Sequence, residues 1–149
     1  MVTTETHSVA ETEALGARLA CALPLPALVL LSGELGAGKT AFVRGLLRGL
    51  SAPEDVVVSS PTYVLQHIYE AGRARAYHID AYRLLGGGDE FEASGLRECF
   101  DDPLGLVCIE WPEKLGAFRW PREPVRVSIE HVDEQTRAIR IEGWHGHTV

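Results

Sequence analysis

A short glycine-rich segment, Gly33–Thr40, constrains the fold of this chain more than any other stretch of its sequence. The segment reads GELGAGKT and follows Ala27–Leu31, a continuous apolar run that is typical of a strand buried on both faces. From about Lys39 to Leu50, apolar residues recur with the period of an amphipathic helix. This order of strand, glycine loop and helix predicts a unit of an α/β sheet.

The same segment matches the P-loop pattern Gly-x-x-x-x-Gly-Lys-Thr and has the flanking strand and helix that this pattern requires. Glycines let the backbone approach an anion closely, and successive N–H groups with the helix dipole can then hold a phosphate. We expect Lys39 to reach the outer phosphates and the Thr40 hydroxyl to bind Mg²⁺. The alternative is a glycine-rich turn that only joins strand to helix. The residues expected to bind the phosphates are Gly33, Glu34, Leu35, Gly36, Ala37, Gly38, Lys39, Thr40 and Ala41.

The choice of lysine inside this segment supports the phosphate interpretation. Only Lys39 and Lys114 are lysines among the 14 basic residues, and all the others are arginines. Lysine carries a compact charge on a thin stem, whereas arginine is a broad planar fork. A lysine therefore suits a tight loop around a phosphate.

The remaining pattern predicts one α/β domain over residues 1–149, with 1–7 as a flexible N-terminus. We expect a three-layer, P-loop NTPase-like sheet with a mostly parallel core and antiparallel hairpin strands. Two helices support this expectation: one from a capping box at Ser8–Glu11 to about Leu23, and one from a capping box at Asp89–Glu92 to about Phe100. A hairpin turns around Ala71-Gly72-Arg73, with strands in TYVLQHIYE and RAYHIDAYRL. A buried strand follows at Leu104–Ile109, and a closing hairpin turns at Asp133–Thr136.

Composition excludes several classes of protein. No apolar run is long enough for a transmembrane helix, and the short polar start does not resemble a signal peptide. The cysteines Cys21, Cys99 and Cys108 lack C-x-x-C spacing, so we expect reduced thiols in a cytoplasmic protein. The net charge of −7 makes a broad nucleic-acid-binding surface less favourable, although a local basic patch would still be compatible with it.

Nucleotide hydrolysis would need a carboxylate near the metal and a group that orients water. Glu110 ends a buried apolar run, which is where a Walker B acid lies; the alternative is a solvated acid past the strand end. Asp80 shares a strand face with His78, and pattern alone leaves a catalytic acid and a surface acid open. Thr62, in Ser-Pro-Thr, is either a switch-like residue or part of an ordinary turn. We expect His78 to be a packed or surface histidine.

The sequence favours ATP over GTP. It contains no Asn-Lys-x-Asp guanine-reading motif. Asp102–Gly105 fits the Asp-x-x-Gly pattern but precedes its apolar strand, whereas a GTPase would place the motif after the strand. We therefore expect ATP with Mg²⁺ as the ligands.

The chain resembles the TsaE (YjeE) family of P-loop ATPases of bacterial tRNA threonylcarbamoyladenosine (t6A) biosynthesis. The resemblance covers nearly the whole chain and rests on four strings in order: GELGAGKT, SSPTYVL, YHIDAYRL and CIEWPEKL. The P-loop is common to many families, while the last three strings are much more specific.

This resemblance implies an ATPase that works with the paired proteins TsaB and TsaD, and whose ATP cycle resets that complex between turnovers. Direct contact with tRNA stays open. The implied active-site residues are Lys39, Thr40, Thr62, Asp80, Glu110 as the metal-linked carboxylate, and Trp111 as either a nucleotide-sensitive contact or a packing aromatic. One departure is Ala41, where many members have a second hydroxyl residue that would contact the α-phosphate.

Three classes of function remain after these observations. The first is a slow, partner-stimulated ATPase, since no arginine is obviously placed as a finger, although Arg83 follows the hairpin motif. The second is a small-molecule kinase, for which the chain leaves little room for an arginine-bearing lid. The third is a nucleotide-binding module without catalysis, in which Glu110 and Asp80 would be dispensable.

Overall fold

The computed structural model describes residues 1–72 and 74–144, so Arg73 of the expected hairpin turn and the last five positions of the expected domain lie outside the described residues. Within them the chain forms β1 (Val2–Thr6), α1 (Val9–Ala22), β2 (Ala27–Ser32), α2 (Lys39–Gly49), β3 (Gln66–Ala71), β4 (Ala74–Asp80), α3 (Gly87–Ala93), β5 (Gly105–Glu110), β6 (Val125–His131) and β7 (Arg137–Glu142). The 3₁₀ helices Leu96–Asp101 and Pro112–Leu115 precede and follow β5. No helix in the described ranges has the length and apolarity to cross a membrane.

These strands form one mixed sheet in the order β1-β7-β6-β2-β5-β4-β3. The central strand β2 pairs in parallel with β5 and β6, and β5 pairs in parallel with β4. The outer pairs β1–β7, β7–β6 and β4–β3 are antiparallel. The expected parallel core with antiparallel hairpins is therefore confirmed.

Helices cover both faces of the central strands. On one face, α1 and α2 pack with buried residues such as Leu19, Phe42 and Leu46 against the sheet. On the other face, α3 and the 3₁₀ helices contribute Phe91 and Phe100. The strands β2 and β5 are apolar along their length because both of their faces are buried, which also confirms the expected three layers.

The Ser8 cap expected before α1 is present, but the second bond of the expected capping box goes to the residue before the cap. The Ser8 hydroxyl accepts a hydrogen bond from the Glu11 N–H at 3.1 Å, and the Glu11 carboxylate accepts one from the His7 N–H at 3.3 Å. The first bond satisfies an N–H group of the first helical turn that would otherwise have no partner, and the second joins α1 to the residue before its cap. The helix begins at Val9, as the sequence predicts.

The N-terminus differs from the expected flexible segment. Val2–Thr6 is the edge strand β1, paired along its length with β7 from Val2 opposite Ile141 to Thr6 opposite Arg137. The buried Thr6 hydroxyl also lies 2.7 Å from the Thr12 hydroxyl. The expectation was wrong because a partner strand from the far end of the chain supplies the backbone hydrogen bonds that this short polar segment needs.

The helix expected from Asp89 to Phe100 is two separate pieces. The helix α3 begins at Gly87 after Gly86, without a side-chain cap, and the Gly86 N–H donates to Glu90 rather than to Asp89. Gly95, with φ of 80°, then ends the α-helical stretch before the 3₁₀ helix. Glycine favours this left-handed conformation, so the chain changes direction there.

The first hairpin is shorter than the expected pattern. Strand β3 begins at Gln66, because residues 62–64 form a turn, and β4 ends at Asp80. The Leu65 N–H donates to the Pro61 carbonyl at 2.8 Å, which closes that turn. Thr62 therefore lies in a turn that leads into the hairpin, not on its first strand.

A close contact between α1 and α2 gives a test of this packing. A Cβ on Gly45 would lie 2.1 Å from the carbonyl oxygen of Glu13. We expect Gly45→Ala to lower the free energy of unfolding by about 1–3 kcal/mol, because overpacking outweighs the higher helix propensity of alanine. Urea denaturation would measure the change. The control Arg18→Ala, on the exposed side of α1, should change it by less than about 0.5 kcal/mol, and an equal or greater stability of Gly45→Ala would contradict the close contact.

Candidate active site

The loop between β2 and α2 depends on its glycines. A Cβ on Gly33 would lie 2.7 Å from the carbonyl oxygen of Ile129 on β6. Gly36 and Gly38 have φ values of 77° and 113°, in the left-handed region that side chains disfavour. The spacing read from the sequence therefore corresponds to a backbone path that other residues would obstruct.

The helix α2 starts at the end of this loop with an uncapped N-terminus. Its N-cap is Gly38, and no side chain accepts a hydrogen bond from its first N–H groups. Such N–H groups and the positive end of the helix dipole together favour a bound anion. Lys39 adds a formal positive charge at the same end of the helix.

A cavity of about 590 Å³ opens beside this helix end. Among the residues that line it are Leu35, Gly36, Gly38, Lys39, Thr40, Ala41, Thr62, Asp80, Glu110 and Trp111. Of the other residues expected to bind phosphates, Gly33 and Glu34 line an adjacent groove, and Ala37 is buried. The structure thus gathers at one place the site residues expected from separate motifs.

Strand pairing explains this convergence. In the register of the sheet, Glu110 on β5 lies opposite both Leu31 on β2 and Asp80 on β4. The three parallel strands therefore end at one edge, where the loop to α2 also begins. Ligand sites in open α/β sheets lie outside the carboxyl ends of their strands for this reason.

Lys39 is nearly buried and contacts backbone and aromatic groups. Its Nζ donates to the carbonyl oxygens of Gly33 and Glu34, the latter at 3.1 Å, and lies 4.5 Å from the centre of the Trp111 ring. Burial lowers the pKa of Lys39, and the nearby carboxylates, first among them Glu110, oppose that shift. The ammonium group is thus held beside two carbonyls, at a position where an anionic ligand would compete for it.

Asp80 is buried rather than solvated, with 2% of its surface exposed. One carboxylate oxygen accepts hydrogen bonds from the hydroxyls of Thr62 at 2.8 Å and Ser60 at 3.2 Å. The other accepts one from the Tyr82 N–H at 2.9 Å. Asp80 therefore fixes the Ser60–Thr62 turn against the cavity wall.

Glu110 is also buried, with 3% of its surface exposed, at the end of β5. Its Oε2 forms a hydrogen bond with Nε2 of His78, whose ring is 1% exposed. Of the two alternatives expected for His78, packed or at the surface, the structure shows the packed one. The solvated alternative for Glu110 does not fit this burial.

Trp111 follows Glu110 in a conformation that is rare for its residue type. Its φ is 57°, and its ring packs at 5.1 Å from that of Tyr82. Left-handed backbone at a large residue costs energy, and such positions concentrate at functional sites. The ring contacts both the ammonium of Lys39 and the ring of Tyr82, which also lines the cavity.

Three arginines and two tyrosines also line the cavity beyond the expected set. They are Arg44, Arg83, Arg137, Tyr63 and Tyr82. The Arg137 Nε donates to the Ala37 carbonyl at 2.9 Å, and the Arg83 guanidinium lies 4.3 Å from the centre of the Tyr63 ring. Helical spacing from Thr40 would have placed Arg44 near the loop, whereas no local sequence signal relates Arg137 to it.

The Asp-x-x-Gly match lies at the other end of β5 and has a structural role. Asp102 accepts hydrogen bonds from the hydroxyl of Tyr77 at 2.7 Å, from Arg75 at 2.9 Å and from the Leu104 N–H at 2.9 Å. The Tyr77 hydroxyl is the main cause that lowers the pKa of Asp102. Asp102 therefore joins β4 to the start of β5, away from the cavity at the other end of these strands.

Comparison with known families identifies the family of this chain. The family model described as "Threonylcarbamoyl adenosine biosynthesis protein TsaE" matches residues 6–139. The chain belongs to the TsaE family. The resemblance seen in the sequence motifs is thereby confirmed.

Curated TsaE proteins from several bacteria are similar over most of the chain. A TsaE of Streptomyces coelicolor is 44% identical over 134 residues, which cover 87% of this chain and 88% of the relative. A TsaE of Bacillus subtilis is 36% identical over 130 residues, with 87% and 77% covered. A TsaE of Synechocystis is 42% identical over 105 residues, which are 70% of this chain and just under two thirds, 66%, of the relative. All three are named as tRNA threonylcarbamoyladenosine biosynthesis proteins.

A solved structure has the same fold. The crystal structure of YdiB from Bacillus subtilis superposes with a TM-score of 0.75 at 27% identity. The match covers 94% of this chain and 83% of that chain. The mixed α/β fold expected from the sequence is therefore shared with a known structure.

The bond between Thr62 and Asp80 gives a test of how the turn is held. We expect Thr62→Val to lower the free energy of unfolding by about 1–2 kcal/mol, because a buried carboxylate loses a hydroxyl donor. Thr62→Ser keeps that hydroxyl and should stay within about 0.5 kcal/mol of the parent chain. Chemical denaturation of both variants would measure this. Equal stability of the valine and serine variants would show that Asp80 does not depend on the hydroxyl of residue 62.

Proposed function

We propose that this protein acts in the biosynthesis of threonylcarbamoyladenosine in tRNA, as a component that binds and hydrolyses ATP with Mg²⁺. Family membership and the names of the curated relatives support the role in t6A biosynthesis. One structural observation carries the ATPase part: a single cavity joins the uncapped start of α2 to two buried carboxylates, Asp80 and Glu110.

The residues present fit a nucleotide's phosphates. The glycine loop leaves no Cβ between the backbone and the cavity at Gly36 and Gly38, and the first N–H groups of α2 have no side-chain cap. Lys39 would exchange its bonds to backbone carbonyls for bonds to phosphate oxygens, which carry more charge. Helix N–H groups and ammonium would then share the negative charge of the bound nucleotide.

The metal would be held by Thr40 and Glu110. A hydroxyl and one carboxylate are typical protein contributions to a Mg²⁺ site, since the ion takes its other ligands from phosphate and water. When bound, Mg²⁺ neutralises charge on the transferred phosphoryl group. The carboxylate of Asp80, through Thr62, positions the turn that faces the same cavity and can exclude or orient water there.

The site also has a specific weakness at Ala41. Ala41 lines both the main cavity and a second one of about 320 Å³, together with Arg137. The alanine supplies no hydroxyl to an α-phosphate, so we expect weaker nucleotide binding than in members that have one. The Arg137 guanidinium offers a positive charge beside the same position and would offset part of that loss.

Protein partners complete the proposal. We propose that TsaB and TsaD are the partners and that the protein works in the cytoplasm. The net charge of −7 gives little general attraction to RNA phosphates, which favours proteins as the main contacts. Arg83, which follows the hairpin motif, is held on the ring of Tyr63 and so does not act as an arginine finger on a bound phosphate. We therefore expect hydrolysis by the isolated chain to be slow and to rise when the partners bind.

Nucleotide binding is tested first by changing the lysine. We expect Lys39→Ala to weaken MgADP binding at least about 30-fold, the equivalent of about 2 kcal/mol, because a desolvated charge pair is lost. Isothermal titration calorimetry on the folded variant would measure the affinity. The control Arg97→Ala, an exposed residue paired with Glu92, should bind as the parent chain does. Failure of the parent chain to bind adenine nucleotide with Mg²⁺, TsaB and TsaD all supplied would overturn the proposal.

Catalysis is tested at the buried carboxylate. We expect Glu110→Gln to lower phosphate release in the presence of TsaB and TsaD by about 10²–10³-fold, with a much smaller effect on ADP binding. Glu113→Gln, in the neighbouring groove, should retain most of the activity. Unchanged hydrolysis in Glu110→Gln would favour a binding module, and a phosphorylated small molecule in place of free phosphate would identify a kinase.

A further inference from the structure

His78 is a buried polar residue that contacts Glu110 of the candidate active site from outside the cavity. It lies on β4, two residues before Asp80, and is 1% exposed. It is not among the described residues that line the 590 Å³ cavity. Its Nε2 meets Oε2 of Glu110 on the neighbouring strand, so any influence of His78 on a ligand would pass through that carboxylate.

The other ring nitrogen determines which group donates this bond. Within the described part of the chain, Nδ1 of His78 is buried and has no hydrogen-bond partner. A proton on Nδ1 would leave a buried donor without an acceptor, which is more costly than a lone pair in the same place. The proton therefore lies on Nε2, which donates the hydrogen bond to Oε2 of Glu110.

The sheet fixes the geometry of this bond. Paired positions of β4 and β5 place His78 opposite Cys108 and Asp80 opposite Glu110, so the bond runs diagonally between adjacent strands. Burial raises the pKa of the Cys108 thiol well above its ordinary value, so a neutral thiol lies beside the pair. With Oε2 of Glu110 held by His78, the second oxygen, Oε1, is left for a ligand in the cavity.

We infer that His78 is a positioning residue that aims the carboxylate of Glu110 at the metal of the bound nucleotide. This inference rests on the proposed function, because it assumes that Glu110 contributes to a Mg²⁺ site. Groups that orient a metal ligand from behind typically change metal affinity or activity 10- to 100-fold when they are removed. His78 contacts no reacting atom in this arrangement and acts only through Glu110.

The test compares two amides that differ in reach. Gln has a terminal N–H₂ near the position of the histidine Nε2 and should still donate to Glu110, whereas the shorter Asn should not. Calorimetry would give the ADP affinity of each folded variant with Mg²⁺ and with EDTA. We expect His78→Asn to lose about tenfold in the Mg²⁺-dependent gain of affinity and His78→Gln to stay within about threefold of the parent chain. Affinities in EDTA should be nearly unchanged in both.

The control Cys108→Ala removes a neighbouring buried side chain without removing the hydrogen bond. Its Mg²⁺-dependent gain should match that of the parent chain. Equal values for the Gln and Asn variants, or an equal loss in EDTA and in Mg²⁺, would overturn the inference, since both results describe packing alone. If the parent chain binds no ADP, the proposed function itself fails; if the parent binds ADP with Mg²⁺ and the Asn variant matches it, only the role of His78 fails.

Discussion

The parallel pairing of β5 with both β2 and β4 decides where the charged groups of the cavity lie. Because parallel strands end at the same edge, this pairing brings Asp80 and Glu110 level with the loop that precedes α2. An antiparallel neighbour would have placed one of the carboxylates at the opposite edge. The apolar core on both faces holds these strands in register, so the positions of the carboxylates in the site depend on the packing of the sheet.

The site concentrates buried charge that a packed core would normally exclude. Lys39, Asp80 and Glu110 are all at most 6% exposed. Ionised groups at such depth are tolerated only with polar partners, and here the partners are carbonyls, hydroxyls and an imidazole. Replacing such buried charged residues by hydrophobic ones often leaves a protein at least as stable. A role in binding the proposed nucleotide therefore explains this cluster better than the stability of the fold does.

The central fold could be predicted because its signals are local. Ala27–Leu31 and Leu104–Ile109 are continuous apolar runs, and the glycine loop has a pattern with a physical reason at each position. The strand Val2–Thr6 could not be predicted in the same way. It has a single apolar residue, and its identity as a strand comes from pairing with β7 at the other end of the chain. The false cap at Asp89 has a similar reason, since Glu90 takes the N–H bond from a glycine one turn earlier.

In the candidate site, too, local motifs could be predicted and contacts between distant residues could not. Motifs placed Lys39 and Glu110, but the bond from His78 to Glu110 joins residues 32 positions apart, and Arg137 meets the loop from 100 positions away. No residue pattern encodes such side-chain contacts before the strand order is known. For this reason the sequence left His78 as a packed or surface histidine, although it recognised the strand face on which the residue lies.

The turn that contains Thr62 has a consequence for the chemistry of the free chain. Both oxygens of Asp80 already accept hydrogen bonds, from two hydroxyls and one backbone N–H. Three of the roughly four lone-pair sites of the carboxylate are thus used, and the remaining site is on the oxygen that accepts from the Tyr82 N–H. Movement of the segment Ser60–Thr62 would therefore change how many acceptor sites Asp80 offers inside the cavity.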